Sequence, residues 1–287
     1  MSSKEERVTA ARQTLQAFHD GYYETETTRV DLEELHEKSL NHITLYTPEM
    51  TDKIYINASD SQVAPTYRLS QLPVVSELVR TKRAGGRNIG ILNFASAKNP
   101  GGGFLNGAAA QEESLAMCGN LYLTQIKKQA YYEANRACRS MLYTDHMIYS
   151  GGVVFIRENT DPLWESPLTA SVLTVPAVNM GQYLLKREGD SVHHAEEVMK
   201  NRMRKILNVF AEQKNEVLIL GAYGCGVFRN DPVKIAAFFV ELLKSEGLEK
   251  HFKELIFAVY DSSKDKRVYN AFSNELLPLC CHSGVMS

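Results

Sequence analysis

The chain alternates between short apolar runs and longer stretches with apolar residues at helical spacing. Six runs are predicted to be strands: Ile54–Asn57, Ile89–Phe94, Val153–Ile156, Val172–Val178, Val217–Leu220 and Leu255–Tyr260. Several of them are almost continuously apolar, which is typical of strands covered on both faces. The other stretches are predicted to be helices: Leu72–Ala84, Ala109–Arg139, His194–Ala211, Pro232–Leu248 and Asp265–Leu277. Strands that alternate with helices predict an α/β fold, a three-layer α/β/α sandwich.

The first 50 residues have a different texture. Residues 4–20 carry Val8, Leu15 and Phe18 at helical spacing and are predicted to form an amphipathic helix. Residues 21–50 are polar and rich in Thr and Glu, with a short helix expected at Val30–Lys38. We therefore expect residues 1–50 to be an N-terminal helical extension packed on a core domain of residues 51–287.

Composition narrows the class of protein. Hydrophobic residues make up 44% and charged residues 23% of the 287 residues, which is typical of a globular protein. Lys and Arg total 32 against 34 Asp and Glu, a net charge of −2. This balance argues against direct, sequence-specific nucleic-acid binding. A membrane association is not expected, because no window approaches the ~18 apolar residues of a span.

The cysteines and the first residues point to a cytoplasmic protein. The five cysteines are odd in number and form no Cys-x-x-Cys pair, so reduced thiols are expected. The first residues are charged and lack an apolar stretch, so no secretory leader is expected.

Glycine-rich loops follow two of the predicted strands. The first contains Gly101, Gly102 and Gly103, and the second contains Gly224, Cys225 and Gly226. Glycine allows a close backbone approach, and free N–H groups beside a helix N-terminus bind phosphate oxygens. Two such loops at neighbouring strand ends suit a diphosphate. Either loop alone is weak evidence, because glycine turns after strands are common, and a purely structural role stays open for each.

The pair Glu112-Glu113 lies in or just before the first turn of the predicted helix over Ala109–Arg139. A structural interpretation suffices for such acids, because they stabilise a helix N-terminus by about 0.3–1 kcal/mol. Their position a few residues after the first glycine loop favours a second interpretation. A carboxyl group there would reach the sugar of a bound ligand, with a raised pKa that suits a general acid at a glycosidic bond.

Taken together, these motifs resemble the signature of poly(ADP-ribose) glycohydrolases. The signature is three glycines, six to eight residues, and then Gln-Glu-Glu, which here is Gly101 to Gly103 followed by Gln111, Glu112 and Glu113. The preceding Asn93–Pro100 segment and the later Gly221–Phe228 loop resemble the compact microbial type of that family. The resemblance implies a macrodomain with a mixed central sheet and makes residues 51–287 the catalytic domain.

The resemblance also implies roles for individual residues. Glu113 would be the catalytic acid, Glu112 would hold the ribose hydroxyls, and Gln111 would support both. The remaining ligand-binding residues, at the diphosphate or the distal ribose, would be Asn99, Gly101, Gly102, Gly103, Gly224, Cys225, Gly226, Val227 and Phe228. No cofactor and no metal site is implied.

The expected reaction is mainly exo-type hydrolysis of ribose–ribose bonds in poly(ADP-ribose). The substrates would be the polymer or ADP-ribosylated macromolecules, and the product would be ADP-ribose, so that ADP-ribosylation is reversed, as in the DNA damage response. Two alternatives stay open. One is a macrodomain that reads ADP-ribose without cleaving it, which has no need for Gln111-Glu112-Glu113. The other is a hydrolase that removes single ADP-ribose units from protein or nucleobase.

Overall fold

The computed structural model describes residues 2–54, 56, 64–186 and 191–280. Within them, seven strands form one mixed sheet in the order β3-β6-β7-β5-β8-β9-β4. These strands are β3 (Ile43–Tyr46), β4 (Thr66–Ser70), β5 (Ile89–Phe94), β6 (Met147–Phe155), β7 (Leu168–Val175), β8 (Val217–Leu220) and β9 (Glu254–Ala258). Strands β7, β5, β8, β9 and β4 run parallel, whereas β6 pairs antiparallel with both β7 and β3. A separate antiparallel hairpin joins β1 (Tyr22–Glu24) to β2 (Arg29–Asp31).

Helices cover both faces of this sheet, as expected for an α/β sandwich. They are α1 (Lys4–Asp20), α2 (Glu33–Asn41), α3 (Pro48–Thr51), α4 (Val74–Arg83), α5 (Gln111–Cys118), α6 (Leu121–Gln125), α7 (Gln129–Ala137), α8 (Met180–Leu185), α9 (Val192–Glu212), α10 (Pro232–Val240) and α11 (Arg267–Cys280). Within the described ranges, none of the helices is both long and apolar enough to cross a membrane.

The apolar strands are buried on both sides because alternate residues face opposite layers. In β5, Ile91 packs with residues of α1, α4 and α5, whereas Leu92 packs with residues of α9, α10 and α11. Both side chains are fully buried. The continuous apolar pattern of β5 and β8 therefore reflects two separate hydrophobic clusters, one on each face of the sheet, and it confirms the predicted three-layer class.

The predicted Ile54–Asn57 strand is not found at the two of its residues that the structure describes. Ile54 and Ile56 belong to no element, and Tyr55 and Asn57 lie outside the described residues. The first parallel strand is β4, where Tyr67 is buried and pairs with Leu255 of β9. Strand β4 lies at the edge of the sheet, and its Thr, Arg and Ser residues hide the apolar signal that the prediction relied on.

The long predicted helix over Ala109–Arg139 is broken into α5, α6 and α7. The break between α5 and α6 falls at Gly119, which forms an isolated β-bridge with Phe155. A Cβ atom at Gly119 would lie 2.3 Å from the Val154 carbonyl oxygen, so the close approach requires glycine. The next residue, Asn120, exchanges hydrogen bonds with both backbone groups of Val154. Pairing with β6 therefore ends α5, and this long-range contact leaves no periodicity signal.

Two other helix boundaries also differ from the prediction. The short helix expected at Val30–Lys38 begins at Glu33, because Val30 belongs to β2. The helix expected at Pro232–Leu248 is α-helical only to Val240 and continues as a π-helical turn over Glu241–Ser245.

The N-terminal segment is built into the core. Its strand β3 forms one edge of the main sheet, and α1 packs against α5 and the 3₁₀ turn over Phe104–Asn106. The Arg7 guanidinium donates a hydrogen bond of 2.9 Å from Nε to the carbonyl oxygen of Gly107. Helix α1 therefore supports the first glycine loop from behind.

Gly107→Ala is expected to destabilise the protein more than Gly21→Ala. Both glycines have a positive φ, +72° and +78°, so each alanine adds backbone strain of about 1–2 kcal/mol. At Gly107 the new Cβ would also lie 2.6 Å from the Lys4 carbonyl oxygen, whereas nothing lies within 4 Å at Gly21. We expect this overpacking to cost a further ~1–3 kcal/mol in the free energy of unfolding, measured with urea. Equal losses in the two variants would contradict the close contact.

Candidate active site

The two glycine loops meet at the carboxyl ends of the central parallel strands. They leave the carboxyl ends of β5 and β8, which pair in parallel with Ile91 opposite Ile219. The rings of Phe94 and Tyr223, one from each loop region, lie 5.8 Å apart. Ligands of open α/β sheets bind beyond the carboxyl ends of the strands, so the loops predicted from sequence lie where a site is expected.

The first loop folds back on itself and on the helix that follows it. Gly101 and Gly102 have positive φ angles of +65° and +58°. The Gly101 N–H donates to Gln125 Oε1 at 2.8 Å, and the Gly102 N–H donates to the Asn99 carbonyl oxygen at 3.0 Å. The Gly103 N–H donates to Glu113 Oε1 at 3.0 Å. All three N–H groups are thus satisfied inside the protein. This differs from the expectation of free N–H groups here, because the acceptors are the carbonyl group of Asn99 in the loop and the side chains of Gln125 in α6 and Glu113 in α5.

Glu112 is buried beneath this loop, with 3% of its surface exposed. Its Oε2 accepts a 2.6 Å hydrogen bond from the Ser96 N–H. Its Oε1 accepts from the side-chain amides of Asn93 at 3.2 Å and Gln125 at 2.9 Å. Burial raises the pKa of Glu112 to about 7, although the three donors favour the ionised form, and the neighbouring Glu113 raises it further.

Glu113 is the more accessible acid of the pair. Only one of its oxygens, Oε1, has a partner among the described residues, the N–H of Gly103. A Cβ atom on Gly102 would lie 2.3 Å from that oxygen and 3.3 Å from Glu112 Oε2. The absence of a side chain at Gly102 therefore creates space that both carboxylates occupy.

Gln111 clamps the start of α5 to the central strand. Its Oε1 accepts from the Phe94 N–H at 2.9 Å, and its Nε2 donates to the Leu92 carbonyl oxygen at 2.7 Å. Both ends of the carboxamide are therefore engaged with β5, and these two hydrogen bonds attach the first residue of α5 to the strand. The side chain of Asn99 is exposed at the outer side of the same loop.

The second loop differs from the first in the state of its N–H groups. Those of Gly224, Gly226, Val227 and Phe228 have no acceptor among the residues that the structure describes. Gly224 has a φ of +74°, and a Cβ there would lie 2.6 Å from the Cβ of Ala177. Successive N–H groups that lack a protein partner form a concave site for anions. The free N–H groups expected from the sequence are thus found in the second loop and not in the three glycines of the first.

The side chains of the second loop are divided between surface and interior. Val227 is 85% exposed, whereas Phe228 is partly buried with its ring 6.0 Å from that of Tyr143. Burial raises the pKa of Cys225 to about 12, so its thiol is protonated near neutral pH and is a poor nucleophile. Among the described residues, no hydrogen bond joins this loop to Glu112 or Glu113.

Sequence reasoning assigned no role to the residues that surround Glu112, although Asn93 and Ser96 lie in the Asn93–Pro100 segment that carries the family resemblance. Asn93, Ser96, Gln125 and Thr174 form this shell, and Thr174 Oγ1 accepts from Asn93 at 3.1 Å and from Gln125 at 3.3 Å. Asn93 carries a weak signal, as a polar residue inside a buried apolar strand. Gln125 carries none, because an amphipathic helical pattern gives no reason to single out one glutamine.

Two further surface features lie away from this site. Clefts of about 1010 Å³ and 390 Å³ lie beside the β1–β2 hairpin and beside β3 and β6, and none of the predicted site residues lines either one. Over the described part of the chain, no three His, Cys, Asp or Glu side chains are gathered as metal ligands.

Comparisons with known proteins agree with this fold. Residues 11–158 match the family model described as microbial-type PARG, catalytic domain. Poly(ADP-ribose) glycohydrolase from Thermomonospora curvata superimposes with a TM-score of 0.89 at 31% identity, over 94% of this chain and 99% of that one. The same enzyme bound to the inhibitor ADP-HPD gives 0.83 at 30% identity, again over 94% and 99%. The enzyme from Deinococcus radiodurans in complex with ADP-ribose gives 0.80 at 36% identity, over 88% and 100%. Among curated protein sequences no significant match was found.

Fold and site define a macrodomain-like α/β hydrolase with paired glutamates at the sheet edge. The chain belongs to the family of microbial-type poly(ADP-ribose) glycohydrolases. The resemblance carried by Gly101–Gly103 and Gln111-Glu112-Glu113 is thereby confirmed. Membership of this family indicates an enzyme rather than a macrodomain that only binds ADP-ribose.

Gly102→Ala is expected to lower kcat/KM on poly(ADP-ribose) by roughly 100-fold. The new Cβ would displace the Glu113 carboxylate, and a misplacement of about 1 Å has an effect of this size. Gly21→Ala is the matched control, because its φ is also positive and nothing lies within 4 Å. Wild-type kcat/KM in the Gly102 variant would show that the carboxylate position does not matter.

Glu112→Gln is expected to flatten the pH dependence of stability. The pKa of Glu112 in the folded protein, about 7, lies above its ordinary value of 4.5, so the folded state binds more protons between these limits. The free energy of unfolding therefore falls as pH rises from 4.5 to 7, by up to ~3 kcal/mol from this group. Over that range the variant should gain stability relative to wild type as pH increases, measured by urea unfolding. Parallel pH profiles of the two proteins would contradict it.

Proposed function

We propose that this glycohydrolase cleaves poly(ADP-ribose) with Glu113 as its general acid and base, mainly from chain ends. The observation that carries the assignment is the asymmetry of the acid pair. Glu113 is held through one oxygen by the Gly103 N–H and keeps the other available, whereas both oxygens of Glu112 are engaged. A group that transfers protons needs a free oxygen within reach of the substrate.

The proposed reaction needs one carboxyl group and one water molecule. Protonated Glu113 donates its proton to the 2′-oxygen that leaves, while the bond from that oxygen to the anomeric carbon breaks through an oxocarbenium-like state. Water then adds to the anomeric carbon, and its proton passes to the ionised Glu113. The carboxyl group is restored, and ADP-ribose and a polymer shortened by one unit are the products.

Glu112 is proposed to hold the distal ribose. Its three hydrogen bonds fix the carboxylate, and an ionised carboxylate has about four acceptor positions, so one remains for a ribose hydroxyl. Gln111 fixes the same helix turn through β5. Glu112 is therefore expected to orient the scissile bond while Glu113 transfers the proton.

The diphosphate is proposed to bind chiefly to the second loop. Its unpartnered N–H groups at Gly226, Val227 and Phe228 suit phosphate oxygens, whereas those of Gly101, Gly102 and Gly103 already have acceptors. The first loop then contributes close backbone approach, with Asn99 at its outer side. One diphosphate-binding loop and one acid pair hold one ADP-ribose unit at a time, and this favours exo-type release.

The location and the biological role are also proposals. An odd number of cysteines without a Cys-x-x-Cys pair favours the cytoplasm. Hydrolysis of this polymer reverses ADP-ribosylation, which is the basis for proposing a role in the DNA damage response.

Glu113→Gln is expected to slow ADP-ribose release from the polymer by roughly 10²–10⁴, the usual contribution of general acid–base catalysis. The amide keeps the shape of the carboxyl group, so the Kd for ADP-ribose, measured by calorimetry, should remain close to that of wild type. Glu133→Gln, on the exposed surface of α7, is the matched control and should retain full activity. Unchanged release by the Glu113 variant would refute the acid assignment.

The same assay distinguishes the substrate class and the mode of attack. Exo-type cleavage releases ADP-ribose from the first time point while long chains persist, whereas early oligomers would indicate internal cleavage. A mono-ADP-ribosylated protein is assayed in parallel. Release from that protein but not from the polymer would favour a mono-ADP-ribosyl hydrolase instead.

A further inference from the structure

Gln125 lies between the first glycine loop and the acid pair, at the end of α6. It is fully buried. Its Oε1 accepts from the Gly101 N–H at 2.8 Å, and its Nε2 donates to Glu112 Oε1 at 2.9 Å and to Thr174 Oγ1 at 3.3 Å. One side chain therefore contacts the loop, the acid and strand β7.

The orientation of this carboxamide is fixed by its partners. A backbone N–H requires an acceptor and a carboxylate requires a donor, so the oxygen must face Gly101 and the nitrogen must face Glu112. Only a side chain with an acceptor and a donor on one rigid plane satisfies both groups. Glutamate would keep the acceptor but lose the donor, and methionine would lose both while filling a similar volume.

Helix α6 gives Gln125 a rigid support. Asn120 is hydrogen-bonded to the Val154 backbone, and Thr124 Oγ1 lies 2.8 Å from Ser150 Oγ. Both partners belong to β6, so α6 is anchored to the sheet by contacts other than those of Gln125. A displacement of the loop at Gly101 would therefore be resisted by the sheet itself.

We propose that Gln125 is a positioning residue that couples the glycine loop to Glu112. This inference rests on the proposed role of Glu112 in holding the ribose. The loop already holds Glu113 through the Gly103 N–H. With Gln125 holding Gly101 and Glu112 together, one polar network sets the positions of both carboxylates relative to each other.

The charges around Glu112 make this coupling measurable through the pH profile. Within the part of the chain that the structure describes, the titratable groups that face Glu112 are Glu113 on its own helix and Tyr131 and Tyr132 from α7. The groups from β5 and β7, Asn93 and Thr174, do not titrate. Loss of the Gln125 donor removes a group that favours ionised Glu112, so the acidic limb of kcat should move to higher pH.

The test compares Gln125→Met and Gln125→Glu with Gln129→Met. Gln129 is exposed at the start of α7 and is the matched control. We expect both Gln125 variants to lower kcat by about tenfold or more, the size of one lost hydrogen bond to a charged group, with a smaller change in KM. The acidic limb should move up by about one pH unit in both, and should not move in the control.

The outcomes separate this inference from the proposed function. Circular dichroism and the Kd for ADP-ribose first establish that each variant is folded, and Gln125→Glu, which keeps the bond to Gly101, serves if the methionine variant does not fold. Kinetics like those of Gln129→Met overturn the inference, and so does a lower kcat without a displaced pH profile. Wild-type activity of Glu113→Gln would instead refute the proposed function, whatever the Gln125 variants do.

Discussion

The burial of the Glu112 carboxylate is the constraint on which this site depends. An ionisable carboxyl group with 3% exposure loses several kcal/mol of hydration, which only well-placed donors offset. Here the donors come from three different parts of the chain: Asn93 in β5, the backbone of Ser96 after β5, and Gln125 in α6. The site therefore exists only when strand, loop and helix are assembled together at the carboxyl end of β5.

The two glycine loops meet at the carboxyl ends of β5 and β8 and differ in how their N–H groups are used. In the first loop the glycines give space and hydrogen bonds to the acid pair, since Gly102 leaves room for two carboxylates and the Gly103 N–H holds one of them. In the second loop the N–H groups of Gly226 and Val227 have no described partner and suit an anion. Similar compositions in the sequence thus support different chemistry, because only the second loop leaves its donors unused.

The sequence predicted the parts of the protein whose signals are local. Strands β5 and β8 have continuous apolar runs, and the signature from Gly101 to Glu113 lies within one short segment, so both were found. Strand β4 and the break at Gly119 were missed, because an edge strand is half polar and the break depends on pairing with β6. Gln125 was missed for the same reason, since its role comes from contacts with Gly101 and Glu112 rather than from its neighbours in sequence.

The hydrogen bonds of the first loop and the unpartnered N–H groups of the second also bear on how the site is organised for catalysis. Hydrogen bonds from Ser96, Asn93 and Gln125 hold the Glu112 carboxylate, and the Gly103 N–H holds one oxygen of Glu113, so groups of the protein itself fix the positions of the acid pair. Groups held in position before binding need no reorganisation at the transition state, where their interactions matter most. In the proposed mechanism, binding energy from the diphosphate is then available to position the scissile bond against Glu113. An acid pair held by the protein, together with a neighbouring loop whose N–H groups suit an anion, is the arrangement expected of an enzyme that recognises a diphosphate and performs chemistry on the sugar.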